Sequence, residues 1–169
     1  MIKVPVIAEL ADVPLHVVDS LKNMCKNHSE KFIDNIWSDK MKTCDVQDPN
    51  SQNLLLDDND SRNVVSFVQS IMNTAWGFRL HTLIGSSLNG KWVKPHIYPR
   101  LIIPIINDKL IYSVRLGEGN TPNMRFNIGK CYIWDFRYPN KSHNFNSDLE
   151  RTIAIFKFDP NKETIYKGI

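Results

Sequence analysis

The sequence predicts an α+β fold, with N-terminal helices packed on a C-terminal antiparallel β-structure of the jelly-roll type. Three observations carry this. Apolar residues recur at three- and four-residue steps from Pro14 to about Trp37 and again from Asp60 to Trp76, which is the spacing of amphipathic helices. After Gly77 the pattern changes to short β-type runs, and clusters rich in Gly, Pro, Asn, Asp and Ser separate them. A chain of 169 residues suits one domain with a single core. Within residues 1–169 the expected division is a helical part (1–76) with a polar loop at 40–59, a jelly-roll core (77–160) and a short tail (161–169).

In the first helical stretch Val17, Val18, Leu21, Met24, Cys25, Phe32, Ile33 and Ile36 form the apolar stripe, and Pro14 is a good first-turn residue. His16 and His28 are expected on its surface. From Lys40 to Asn59, "DVQDPNSQN" and "DDND" flank a short "LLL", which reads as a loop with an apolar anchor and a candidate lid. Asp60 or Ser61 then caps a helix whose buried side is Val64, Val65, Phe67, Val68, Ile71 and Met72. The strands expected afterwards are "FRLHTLIG", "RLIIPII", "KLIYSVRL", "MRFNI", "CYIWDF" and "RTIAIFKF". Six short strands behind helices that all come first point to an antiparallel barrel or sandwich.

Composition narrows the function classes. Apolar residues at 42% and charged residues at 23% fit a folded globular chain. The net charge of +3 is spread along the chain, which argues against a nucleic-acid stripe and leaves that role in reserve. Cys25, Cys44 and Cys131 lack zinc or disulfide spacing and read as reduced, buried thiols. Without a secretory signal or a run long enough for a membrane span, the expected location is the cytoplasm and the expected partners are soluble.

The segment "GFRLHTLIGSS...KPHIYPRLIIPIIND...IYSVR...NIGKCYIWDFRYPNKSHNFNSDLERTIAIFKFD" resembles the aspartyl/asparaginyl β-hydroxylase family. That family lies within the double-stranded β-helix, cupin-like superfamily of iron(II) and 2-oxoglutarate dioxygenases. The matching pieces are Pro95-His96, Arg100 to Pro104, Gly129 with Trp134 and Asp135, the Asn140 to Asn144 turn, and Arg151 with its strand. The resemblance spans about residues 77–160 and implies Fe(II) and 2-oxoglutarate as cofactors of an active protein. It further implies an amino-acid, peptide or protein substrate.

Non-heme iron of this kind is held by two histidines and usually a carboxylate, with open positions for 2-oxoglutarate and oxygen. The distal carboxylate of 2-oxoglutarate needs a fixed cation, and arginine offers a two-pronged fork. The resemblance assigns one metal ligand to His96, another to the histidine turn and the carboxylate contact to Arg151. Two departures follow. Tyr98 stands where the family has its carboxylate. In the turn, the asparagine register with Asn144 puts Asn140 in the ligand position, whereas a hairpin shortened by two residues puts His143 there and preserves strand parity with Arg151.

Each residue also has a structural reading. His96 and His143 fit solvated turn histidines, and Arg151 fits a structural pair with Asp135 or Glu150. His81 reads first as a satisfied core histidine. Arg100 and Arg115 are either anion contacts or snorkelling strand cations, and Trp76, Trp92 and Trp134 are core or rim aromatics. His81, Tyr98, Arg100, Trp134 and Asn144 complete the candidate pocket. Two function classes remain open: an iron(II)/2-oxoglutarate dioxygenase, and a jelly-roll module that has lost its metal and binds a partner or a small anion.

Overall fold

The computed structural model describes residues 2–35, 38–84, 94–106, 111–114, 122–143 and 150–166. A first strand, β1 (Ile7–Asp12), leads into helix α1 (Leu15–Asn27). After a 3-10 turn at Ser29–Lys31 come β2 (Ile33–Asn35), β3 (Ser38–Asp45) and helix α2 (Asn59–Ile71). The remaining strands are β4 (Trp76–Ile84), β5 (Arg100–Ile106), β6 (Ile111–Val114), β7 (Asn123–Arg125), β8 (Lys130–Trp134), β9 (Asn140–His143) and β10 (Glu150–Lys157). A large antiparallel sheet has the order β1-β8-β5-β10-β4-β3-β2, and a small one the order β7-β6-β9. This is the α+β jelly-roll arrangement that the pattern of helices before strands predicts.

Period-two alternation gives the large sheet two different faces. On one, Leu101, Ile103, Cys131, Ile133, Ala154 and Phe156 pack against Val17, Leu21 and Met24 of α1 and Val64 and Val68 of α2. Phe78 and Phe156 stack there with ring centroids 4.4 Å apart. The other, inner face carries Ile102, Tyr132, Trp134 and Ile155, packed with Phe126 and with Met124 of β7. Phe126 stacks on Tyr132 at 4.1 Å, and the Tyr132 hydroxyl accepts the Asn127 N–H at 2.8 Å. Cys44 and Cys131 are core residues, and burial pushes the Cys131 thiol up to about 12.

The N-terminal part is less helical than its apolar spacing predicts. Strand β1 lies along β8, with Ile7 opposite Trp134, and β2 and β3 extend the sheet beyond β4. Helix α1 stops at Asn27, and Ile33, expected on its apolar stripe, is 66% exposed in a strand opposite Thr43. Sheet hydrogen bonds outweigh the helical period over that stretch. Helix α2 is capped two or three residues earlier than expected, because the Asp58 carboxylate accepts the Ser61 N–H at 2.8 Å. His28 is half-buried rather than on the surface, and its Nε2 lies 2.6 Å from Asp58.

Residues 40–59 are not one continuous loop. Their first part belongs to β3, and the rest is tied down from both sides. Gln47 Oε1 accepts the Phe78 N–H at 3.1 Å, and Gln52 Nε2 donates to the Ala75 carbonyl at 3.0 Å. Gly77 sits where β4 slips by one residue against β10, with φ at +63°. A Cβ there would meet the Pro49 carbonyl oxygen at 3.3 Å and the Lys157 side chain at 3.5 Å. Gly77→Ala is therefore expected to cost about 1–2 kcal/mol through left-handed strain and crowding, measured by urea unfolding.

Candidate functional site: a cationic inner face

Cross-strand register builds the site, because residues directly opposite in an antiparallel pair share a face. One row brings Lys157 of β10 opposite Arg100 of β5, and Arg100 opposite Trp134 of β8. The next row joins Asp45 of β3, Arg79 of β4, Ile155 of β10 and Ile102 of β5. A third joins Thr43, His81, Ile153 and Pro104. Arg151, opposite Leu83, continues the same face at the far end of β10. It is buried and lies six residues from Lys157, roughly 20 Å by strand rise.

The Arg100 guanidinium is positioned by neutral groups. Its Nη1 donates to the carbonyls of Tyr98 at 2.9 Å and Pro99 at 3.4 Å, and its Cζ stands 5.4 Å from the centre of the Phe136 ring. Lys157 Nζ donates to the Pro49 carbonyl at 2.7 Å. Arg79 Nε donates to Asp45 at 2.6 Å. Burial, followed by the neighbouring Arg79 charge, lowers Arg100 to about 10. Burial also lowers Lys157, with Arg100 and Arg79 adding to the effect. His81 falls to about 3, from burial and then from Arg79 and Arg100, so it is a neutral imidazole at physiological pH.

His96 precedes β5. Its backbone N–H donates to the Phe136 carbonyl at 2.7 Å, and its ring centroid is 5.4 Å from that of Phe136. The residue is exposed along one side, yet its ring is shielded on the other, and this burial lowers its pKa ahead of the charges of Arg100 and Lys157. Tyr98 sets its ring edge-on to Trp76 at 4.9 Å. Asn140 opens β9 opposite Val114; it is buried, and its Nδ2 donates to the Tyr138 carbonyl at 3.2 Å. The backbone of His143 pairs with Ile111, while its side chain, together with Asn144, Trp92 and Arg115, lies outside the described residues.

The fold thus gathers His96, Arg100 and Trp134 at one end of the inner face, with His81 two rows along, and places Arg151 at the other end. The acid offered as a structural partner for Arg151, Asp135, is engaged by Arg137 through Nε at 2.8 Å and Nη2 at 2.7 Å. Sequence reasoning passed over Arg79 and Lys157. Their signal was strand phase: Arg79 shares parity with His81, and Lys157 with Arg151, but only the register puts them beside Arg100.

These residues fit a divalent iron poorly. Tyr98 packs on an aromatic ring in the family's carboxylate position, and the Asn140 amide is turned to a carbonyl. The cations Arg100 and Lys157 act on His96, where a dication would be repelled. Among the described residues, no group of three or more His, Cys, Asp or Glu side chains is placed to hold a metal.

No protein-family model and no curated relative matches the chain. Solved structures do. An oxidoreductase of the 2OG-Fe(II) oxygenase family from Burkholderia pseudomallei superposes with a TM-score of 0.64 at 7% identity, covering 97% of this chain and 89% of that one. HygX from Streptomyces hygroscopicus, with nickel, 2-oxoglutarate and hygromycin B bound, gives 0.55 at 9% identity over 96% and 85%. A prolyl-4-hydroxylase from Pseudomonas putida gives 0.54 at 11% identity over 96% and 94%. The chain has the jelly-roll fold of the iron(II)/2-oxoglutarate oxygenases. No helix among the described residues is long and apolar enough to cross a membrane.

Proposed function

We propose that this protein uses the oxygenase-type barrel to hold a small organic dianion of the 2-oxoglutarate class, and that it does so without iron. The observation that carries this reading is Arg151, a buried guanidinium on the inner face at the start of β10. An arginine there suits a two-pronged contact with a carboxylate. The resemblance to the aspartyl/asparaginyl β-hydroxylases supports the same role for Arg151, and HygX, of the same fold, has 2-oxoglutarate bound. The metal-free part rests on Tyr98, Asn140 and the cations around His96.

A second reading is the iron-dependent hydroxylase of an amino-acid or peptide-type carbon, with His96 and His143 as ligands. It is favoured by the lowered pKa of His96, which leaves the imidazole neutral and able to coordinate. Bound iron would supply the oxygen chemistry, and the two histidines would hold it.

Anaerobic calorimetry with 2-oxoglutarate separates the readings. Binding is expected to be unchanged by EDTA and to weaken about 10- to 100-fold in Arg151→Met, the worth of a charged two-pronged contact. Binding that requires iron(II) and brings a weak visible charge-transfer band would instead establish the hydroxylase. No binding under either condition overturns both.

A further inference from the structure

The inner face holds three cations, Arg79, Arg100 and Lys157, at the end opposite Arg151, and neither reading above gives them a ligand. We infer that the head groups of Arg79, Arg100 and Lys157 form a second anion site, built for the phosphoryl group of a phosphate monoester. Arg100 and Lys157 are direct cross-strand neighbours, and Arg79 is in the adjoining row on the same face. Arg100 and Lys157 start about 5 Å apart and Arg79 lies diagonal to Lys157 at about 7–8 Å, on the far side of β10 from Arg100, so the two arginines flank the lysine and all three chains are long enough to approach one another. All three are partly exposed, so the volume is open to solvent.

The way each cation is held separates this cluster from an ordinary solvated strand face. Arg100 and Lys157 are oriented by the carbonyls of Tyr98, Pro99 and Pro49, which fix geometry without cancelling charge. Among the described residues, Arg79 is the one of the three with a carboxylate on its head group, Asp45 at its Nε. Like charges placed opposite one another in a sheet destabilise it, and here burial first, with the neighbouring cations adding to it, weakens the hold of Arg100 and Lys157 on their protons. A structural role would be better served by acids in those rows. An incoming anion would offset that repulsion.

Charge and shape select the ligand. Three cations against Asp45 leave an excess of two positive charges, reduced somewhat by Asp48 acting on Lys157. A phosphate monoester carries about −1.5 to −2 at neutral pH and presents three terminal oxygens. It matches two arginine forks and a lysine point charge, whereas one carboxylate would leave the excess half uncompensated. Beside the cluster stand Trp134 and Phe136, edge-on at 4.6 Å, and Trp76 against Tyr98. These rings suit an apolar or planar group esterified to the phosphate.

The test is calorimetric titration of the full chain with phenyl phosphate, followed by competition with inorganic phosphate. Phenyl phosphate should bind at least about tenfold more tightly than benzoate, inorganic phosphate should displace it, and saturating 2-oxoglutarate should leave its affinity unchanged. Arg100→Met and the more accessible Lys157→Met should each weaken phenyl phosphate at least about tenfold, and Lys157→Met should do so without lowering the thermal midpoint, since it relieves the like-charge repulsion. Equal affinity for benzoate and phenyl phosphate, or full affinity in Lys157→Met, overturns the site. Should 2-oxoglutarate bind while phenyl phosphate does not, this inference fails and the preceding reading stands. Phenyl phosphate binding without 2-oxoglutarate binding gives the reverse.

Discussion

Glu163→Ala is expected to lower stability by about 3 kcal/mol and the thermal midpoint by about 6–12 °C. The Glu163 side chain is a buried carboxylate in the tail beyond β10. Its Oε1 accepts the N–H groups of Asn73 at 3.2 Å, Thr164 at 3.1 Å and Ile165 at 2.8 Å. Its Oε2 accepts the Thr74 N–H at 3.0 Å and the Thr74 hydroxyl at 2.8 Å. Burial by itself would raise this carboxyl, but the donors of Thr74, Ile165 and Asn73 hold it below its ordinary value. Alanine would strand several backbone donors between the end of α2 and the tail, and each stranded group forfeits its full desolvation cost. Glu163→Gln should recover only part, since its amide nitrogen would face a donor. Lys162→Ala, at an exposed neighbour, should change stability by less than about 0.5 kcal/mol. A thermal midpoint for Glu163→Ala equal to that of the parent would falsify the latch.

Stability is also expected to fall by about 3 kcal/mol as the pH drops from about 6.5 to 3, on account of His81. In the folded chain His81 titrates near 3, because burial and the charges of Arg79 and Arg100 oppose its protonation. In the unfolded chain it titrates near the ordinary histidine value of 6.5. Between these values the unfolded state binds more protons, so the stabilisation is complete above about 6.5 and is lost as the pH falls through the window. The steepest slope for one such group is about 1.4 kcal/mol per pH unit, and the integrated loss is smaller than the full conversion because His81 keeps some contact with water. Urea unfolding at half-unit steps in pH measures it. His81→Leu should flatten the curve between pH 6 and 4 while keeping the lower-pH loss that comes from Glu163. An unchanged slope in His81→Leu would place the acid sensitivity elsewhere.

Much of the strand half was legible because its signal is local. Alternation along "RLIIPII" and "RTIAIFKF" marks one buried and one mixed face, and the polar clusters between runs mark the turns. Gly129, read as the residue that opens a strand, takes φ at +82°, which a glycine adopts without strain. The N-terminal half misled where periods compete. Phe32 and Ile33 continue the spacing of α1, yet the chain leaves the helix at Asn27 to pair with β3. Strand β1, "IAELAD", is short and is selected only by its fit along β8. The parity argument linking His143 to Arg151 spans two sheets, β9 in the small one and β10 in the large one, and the His143 side chain lies outside the described residues.

By itself the sequence determined the class: amphipathic helical stretches ahead of a run of short alternating strands, and thiols without a partner spacing. These are properties of neighbours along the chain or of residue type, and they survive without knowledge of pairing. Tertiary structure decided the company each residue keeps. Arg79, Arg100 and Lys157 are scattered over 79 positions of sequence and become neighbours only through the register of β4, β10 and β5. Electrostatics depends on separation in space, and in a sheet that separation is set by which strands pair and in what register.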